Sequence, residues 1–413
     1  MAASLSGSEI IRIGNQISEQ VRQGAHICNL TIGDFDPAIF PIPQQLTANI
    51  ISAYEQHLTN YPPAAGVPEL RAAIADFLRA RLGLRYGPDE LLVGGGSRPL
   101  IYAAYVALLD AGDRVVFPLP SWNNNHYCHL VGAEAVPVPT QPENDFMPTA
   151  ADLSPHLPDA TLLALCSPLN PTGTVFTQAG LLEICDLVLA ENQRRGPDEK
   201  PLYILYDQIY WLLTFGNTRH VDPVSLRPEL RDYVIYIDGT SKCFAATGVR
   251  VGYCFGPEAI IERMKAILGH IGAWAPKAEQ MATARFLPET AAVDAFLTEF
   301  KAKLQASLQL LYAGLKTLRA NGLPVDAIAP AGAIYLTARF DVLGRTTPAG
   351  QRLTTTGEVT AYLIEAAGLA VVPFSAFGSM ATEPWFRLSV GGASQASIEA
   401  ALPRLRAALE ELK

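Results

Sequence analysis

The chain's 413 residues exceed the length at which one hydrophobic core stops growing, so a large domain with a smaller companion is the expected organisation. Hydrophobic residues make up 49% and charged residues 17%, the composition of a well-buried globular protein. A formal charge of −9 and a pI near 5.3 argue against nucleic acid as the main partner, so a small anionic ligand has to be met by local basic residues.

The opening stretch MAASLSGSEIIRIG has neither the basic segment nor the long apolar run of a signal peptide, and no later window approaches membrane-spanning length. A cytoplasmic protein without membrane contact is expected. Further along, short β-rich runs alternate with amphipathic helical patterns. Residues 90–94 read as a strand, 99–109 as a helix, 113–118 and 161–166 as strands, 181–192 as a helix, and 201–206, 233–237 and 251–255 as strands. Strands separated by helices imply an α/β fold, with a mostly parallel central sheet covered by helices on both faces. Ligands of such sheets gather at the loops beyond the strands' carboxyl ends.

The Pro- and Asp-rich segment 141–159 is expected to wind across the surface, and the polar run ENQRRGPDEKP, 191–201, to be solvated loop. From about residue 295 a long helix bearing Leu304, Leu308 and Leu311 leads into a different pattern of strands and helices. These shifts divide the chain into a large domain, 46–290, and a smaller α+β domain formed by 1–45 and 291–413. Six cysteines, Cys28, Cys128, Cys166, Cys185, Cys243 and Cys254, are dispersed without a C-x-x-C pair, so neither a disulfide framework nor a metal site is indicated. Cys243 adjoins Lys242 but reads as a packed thiol.

Four stretches carry chemistry. In Ser-Lys-Cys-Phe-Ala-Ala-Thr-Gly-Val-Arg-Val-Gly-Tyr, 241–253, Lys242 lies eight positions before Arg250 (250 − 242), and Gly248 and Gly252 flank the arginine with little bulk to obstruct a phosphate. A lysine whose pKa is lowered by burial or a neighbouring cation captures carbonyls, and a guanidinium fork suits a phosphate dianion. LCSPLNPTGT, 165–174, ends a strand and presents Asn170 on a turn restricted by Pro168 and Pro171. LYDQIY, 205–210, puts Asp207 at the next strand end with Tyr210 three residues on. In LLVGGGSRPLIYAAY, 91–105, a strand runs into Gly94, Gly95 and Gly96, and a helix opens near Ser97. Free N–H groups and the helix dipole then face an anion, with Ser97 expected as the cap.

Singly these motifs are weak, but Asn170, Asp207, Lys242 and Arg250 in this order, each at a strand end or the loop after it, resemble class I/II pyridoxal-phosphate aminotransferases, the aspartate aminotransferase superfamily of PLP fold type I. The resemblance implies pyridoxal 5'-phosphate held as an internal aldimine on Lys242. Asp207 would keep the pyridine nitrogen protonated so that the ring is an electron sink. Tyr210 and Asn170 would bond the phenolic oxygen, and Trp122 of PLPSWNNNHY would stack on the ring, a core tryptophan being the competing reading. Gly96, Ser97, Arg98, Ser241 and Arg250 would surround the phosphate. TNYPPAAGVPELRAAIADFL, 59–78, is similar to the family segment in which a tyrosine of one subunit, here Tyr61, reaches the neighbour's phosphate, which implies a homodimer. WFRLSVGGAS puts Arg387 where the family binds the substrate α-carboxylate. Gly33 of NLTIGDFDP and Asn170 would lie close to that carboxylate.

The chain also departs from the pattern. Gly239 stands where a serine is frequent, Gln208 replaces the glutamate of the usual Asp-Glu pair, and Phe374 occupies a glycine position of Pro-Gly-x-x-Phe-Gly. Ser97 stands where some relatives carry a lysine for a second substrate carboxylate, which argues against an aspartate or glutamate donor unless Arg98 substitutes; a structural arginine is the alternative. His126 and Trp274 are each read either as pocket-lining or as packing residues, and the loop 343–356 either as a cover over the site or as solvated chain.

The activity implied is transamination between an L-amino acid and a 2-oxo acid. A fold-type-I lyase, of the C–S β-lyase or cyclopropane-carboxylate-synthase kind, uses almost the same residues and is the alternative. A non-catalytic PLP-binding regulator is disfavoured because residues 1–40 are too short and too weakly basic to hold a DNA-binding module.

Overall fold

The computed structural model describes residues 24–413 apart from Asp198, together with Arg12, Ile13, Gly14, Ile17, Glu19 and Arg22; the opening residues 1–11, on which the signal-peptide reading rests, lie outside the described residues. In chain order the strands are β1 (Cys28–Asn29), β2 (Leu91–Gly94), β3 (Arg114–Leu119), β4 (Glu134–Pro139), β5 (Ala160–Cys166), β6 (Tyr203–Asp207), β7 (Val234–Gly239) and β8 (Gly252–Phe255). They are followed by β9 (Val325–Ala327), β10 (Tyr335–Phe340), β11 (Leu369–Ala370), β12 (Val372–Pro373) and β13 (Trp385–Ser389).

Seven strands form the central sheet in the order β2-β8-β7-β6-β5-β3-β4, parallel throughout except for β8, which runs antiparallel to both neighbours. Strands β5 and β7 are near-continuous apolar runs, as expected of strands covered on both faces. One face packs Val116, Leu163, Tyr206 and Tyr236 against helices Pro68–Leu82, Gln178–Arg195 and Lys277–Phe286. The other packs Val115, Leu162 and Ile235 against Ser97–Leu108 and Glu258–Ile271. Register sets the working edge: Cys166 of β5 pairs with Asp207 of β6, and Asp207 with Ile237 of β7. The carboxyl ends of the three strands are level, so the loops bearing Asn170, Tyr210 and Lys242 open on one side.

A separate core gathers on the antiparallel sheet β12-β13-β10-β9 and the parallel pair β1-β11. Leu304, Leu308 and Leu311 of helix Thr290–Ala320 pack there, while Val293 and Leu297 of the same helix pack in the core of the central sheet. Arg387 sits mid-strand on β13, between Thr337 of β10 and Val372 of β12.

Three local expectations need correction. Helix Gln178–Arg195 runs through the start of the stretch expected to be solvated loop, because Arg195 and Glu191 are buried and paired at 2.6 Å, with Arg195 also donating to the carbonyls of Leu157 and Lys200. The segment 141–159 is only partly superficial: it buries Phe146, Met147, Leu153 and Leu157. Helix Asn124–Val131 and strand β4 were not anticipated, Pro137 and Pro139 reading against a strand, but prolines are tolerated on an edge strand such as β4. The loop 343–356 is a hairpin bridged at Thr346 and Arg352 and tied by two backbone hydrogen bonds to Lys413, so it is pinned to the chain's far end rather than lying over the site.

Candidate active site

A cavity of about 680 Å³ opens at the level strand ends, a size suited to a cofactor and a small substrate. Gly33, Ser97, Arg98, Trp122, Asn170, Asp207, Tyr210, Ser241, Lys242, Arg250 and Arg387 all line it. Residues scattered over the whole sequence thus converge as their motifs implied.

Lys242 rises from the short helix Thr240–Cys243 that follows β7. Its Nζ donates to the Gly33 carbonyl at 2.5 Å. Burial lowers its pKa to about 8; Asp34 opposes that shift and the guanidiniums of Arg387, Arg98 and Arg250 add to it. The amine is therefore closer to its nucleophilic, neutral form at neutral pH than an exposed lysine is. Asp207 ends β6, where burial pushes its carboxyl up to about 6, opposed by the Ile209 N–H and by Lys242. A carboxyl so placed gains most from a protonated partner, which a pyridinium nitrogen supplies.

The phosphate end is built by close backbone approach. Gly96, with φ +99°, is the actual cap of helix Ser97–Leu108, so Ser97 is its first helical residue rather than its cap. A Cβ on Gly96 would fall 2.1 Å from Arg250 Nη2, and one on Gly252 would fall 2.4 Å from the Gly96 carbonyl carbon. Only glycine fits either position. Arg250 itself has φ +59° and donates to the carbonyls of Gly95 and Thr247, which aims its guanidinium along the helix opening. Ser241 lines the same end. A Cβ on Gly239, where a serine is frequent, would fall 3.0 Å from Gly252 Cα and from Val251 O, a tight approach to the backbone of the neighbouring strand.

The opposite end is built around Arg387, 1% exposed and clamped between two rings: Tyr335 at 4.8 Å and Phe377 at 4.9 Å from its Cζ. Its Nη1 donates to Asn170 Oδ1 at 3.1 Å and its Nη2 to the Thr31 carbonyl at 2.5 Å, while its buried Nε has no hydrogen-bond partner among the described residues. A desolvated guanidinium with no carboxylate partner among the described residues is suited to a carboxylate ligand. A Cβ on Gly33 would lie 2.8 Å from Tyr335 Oη, so a side chain there has to displace the phenol that meets Tyr210.

Trp122 is half-buried, lining the cavity on one side with Arg98 Cζ 5.2 Å from its ring and packing on the other against the cluster that holds Phe377, 6.3 Å away. The phenol of Tyr210 meets that of Tyr335 at 2.5 Å. Tyr61 is outside the cavity and 82% exposed, with its ring 5.4 Å from Trp274. Neither Trp274 nor His126 lines the cavity; Asn124, of the same helix as His126, does. Cys243 is buried and its thiol is pushed up by desolvation, as a packing residue's would be. Gln208 is fully buried and donates to Asp238 on β7 at 3.3 Å, so the carboxylate missing from position 208 reappears across the strand pair. Phe374 packs on Phe146 and Phe377, behind the ring that covers Arg387.

Sequence reading missed Asp34, Tyr335 and Phe377 as cavity or Arg387 partners. Tyr335 lies in the stretch PAGAIYL, 330–336, and nothing in the spacing links it to Tyr210 125 positions away. Glycine cradles that a Cβ would fill, a buried orphan donor on Arg387 and a desolvated lysine together fit pyridoxal phosphate: Gly96, Ser97, Ser241 and Arg250 for the phosphate, Asp207 for the ring nitrogen, Lys242 for the carbonyl carbon.

Comparison with known proteins agrees. The family model described as aminotransferase class I and II matches residues 25–405. The aspartate aminotransferase of Rhizobium meliloti (strain 1021) is 31% identical, with 99% of this chain and 95% of that protein covered. A probable aspartate/prephenate aminotransferase of Rhizobium leguminosarum bv. phaseoli is also 31% identical, over 97% of this chain and 95% of its own length. The crystal structure of the Rhizobium meliloti aspartate aminotransferase superposes with a TM-score of 0.89 at 30% identity, covering 100% of this chain and 98% of that one. With fold, cavity and relatives in agreement, the chain belongs to the aminotransferase class I and II family and is a pyridoxal-phosphate-dependent aminotransferase acting between amino acids and 2-oxo acids.

Proposed function

We propose that Lys242 carries the cofactor and is the base that moves the substrate α-proton, that Asp207 holds the ring nitrogen protonated, and that Arg387 binds the α-carboxylate. Bound pyridoxal phosphate supplies the electron sink for the carbanion left by proton removal. The observation that carries this reading is the convergence of the Lys242 amine on Gly33, 2.5 Å away, with a buried, carboxylate-free Arg387 in one cavity. Asn170 and the rings of Tyr335 and Phe377 hold the guanidinium in one plane, so a bound amino acid is oriented before Lys242 acts.

The donor is an amino acid with a second carboxylate. Arg98 supports this: it lines the cavity over Trp122 and has no hydrogen-bond or ion-pair partner among the described residues. The names of the relatives, aspartate and aspartate/prephenate aminotransferases, point the same way. The chain works as a homodimer in which Tyr61 crosses to the neighbouring site, a reading supported by its exposed ring, and it acts in the cytoplasm. Its large domain spans 46–290, with the small domain formed by 1–45 and 291–413. A donor screen with purified holoenzyme tests the reading. Aspartate should yield its intact 2-oxo acid; release of ammonia with a fragmented donor would instead mark a lyase.

A further inference from the structure

We propose that Asp34 is a positioning residue for Lys242, forming with the Gly33 carbonyl and the Phe35 ring a seat that holds the lysine amine and offsets its charge whenever it takes up a proton. This rests on the reading of Lys242 as cofactor carrier and base.

The seat is built rather than incidental. Lys242 Nζ donates to Gly33 O at 2.5 Å and lies 5.8 Å from the centre of the Phe35 ring and 5.9 Å from that of Tyr210. Asp34, between Gly33 and Phe35, lines the same cavity; its Oδ1 accepts the Phe35 N–H at 2.8 Å and it has no ion-pair partner among the described residues. The backbone there is fixed from outside. Asp36 N–H donates to Gly391 O at 2.9 Å, and a Cβ on Gly391 would fall 2.1 Å from Asp34 O.

The charges around the amine show why a carboxylate is needed there. Arg387 from β13, Arg98 from the helix Ser97–Leu108 and Arg250 from the turn before β8 all disfavour an ammonium, as does burial. Against them stand Asp207 and Asp34. With Asp207 committed to the ring nitrogen and Arg250 to the phosphate, Asp34 is the remaining cavity carboxylate among the described residues to stand against Arg387 and Arg98. An opposite charge so placed favours the protonated amine, and its removal disfavours it.

The test is a pH titration of the bound cofactor's absorbance in parent holoenzyme, Asp34→Asn and Asp34→Glu, alongside the pH profile of kcat/KM. Asp34→Asn should move both midpoints to lower pH by at least roughly half a unit, with cofactor content unchanged, and Asp34→Glu should return them toward the parent. Should Asp34→Asn accumulate poorly, Asp34→Ser gives the same comparison. Coincident midpoints in folded parent and charge-free variants would overturn the role of Asp34. A parent with no titrating band attributable to Lys242 would instead overturn the assignment of that lysine.

Discussion

Arg387 Nη1 donates to Asn170 Oδ1 at 3.1 Å, joining two residues 217 positions apart in the chain. The contact ties the middle of β13 to the loop after β5, so the arginine proposed to bind the substrate's carboxylate is held by the residue proposed to face the cofactor. In that reading, substrate orientation and cofactor position are set by the same pair.

Removing one partner of a buried, charge-assisted contact costs about 2 to 5 kcal/mol, and each ~1.4 kcal/mol is a factor of ten. Arg387→Ala is accordingly expected to lower kcat/KM by at least roughly thirtyfold for every donor with an α-carboxylate. Steady-state kinetics over several donors check this, and a silent variant would move the anchor elsewhere.

Arg98 offers the contrasting case. Because it lies over Trp122 with no acidic partner among the described residues, Arg98→Ala should impair aspartate and glutamate selectively while sparing neutral donors. Equal losses across acidic and neutral donors would mark it as a structural arginine.

The pH response of the cofactor-free protein follows from Asp207. Burial raises its carboxyl from 3.8 to about 6, so the folded state holds this proton more tightly than the unfolded state. A raised folded-state pKa contributes stability that is fully present below the unfolded value and is lost as pH rises through the folded value. Asp207→Asn has no such titration. Its unfolding free energy should therefore rise relative to the parent's between about pH 4 and about pH 6.5, by an amount on the order of 3 kcal/mol at most, and its Tm with it. Thermal unfolding of both cofactor-free proteins across this range measures it; a constant difference would contradict the buried-carboxylate account.

Tyr61 is 82% exposed beside Trp274, an arrangement that leaves its hydroxyl free to reach a second copy. In the proposed homodimer, Tyr61→Phe should weaken cofactor retention without separating the two copies. Sedimentation with absorbance detection of the cofactor follows both, and a fully active monomer would contradict the composite site.

Much of this was legible in the sequence because the relevant signals are local. Strand ends preceding Asn170, Asp207 and Lys242 could be read from apolar runs, and parallel pairing then levels them. What stayed hidden depends on contacts distant in the chain. The 191–195 stretch is polar yet helical because Arg195 and Glu191 satisfy each other inside the protein, a pairing that composition reads as solvation. Asp34 looks like any loop carboxylate until the fold brings Gly33 against Lys242 and Asp34 into the cavity that the lysine lines. Gly96 rather than Ser97 caps its helix because the chain turns through φ +99° there, a conformation that favours glycine and that no propensity places at that position.

The most direct test of the account is to reduce the holoenzyme with borohydride, digest it and locate the cofactor by mass spectrometry. The reduced cofactor is expected on Lys242 alone. Its recovery on any other lysine, with Lys242 unmodified, would contradict the assignment on which the site is built.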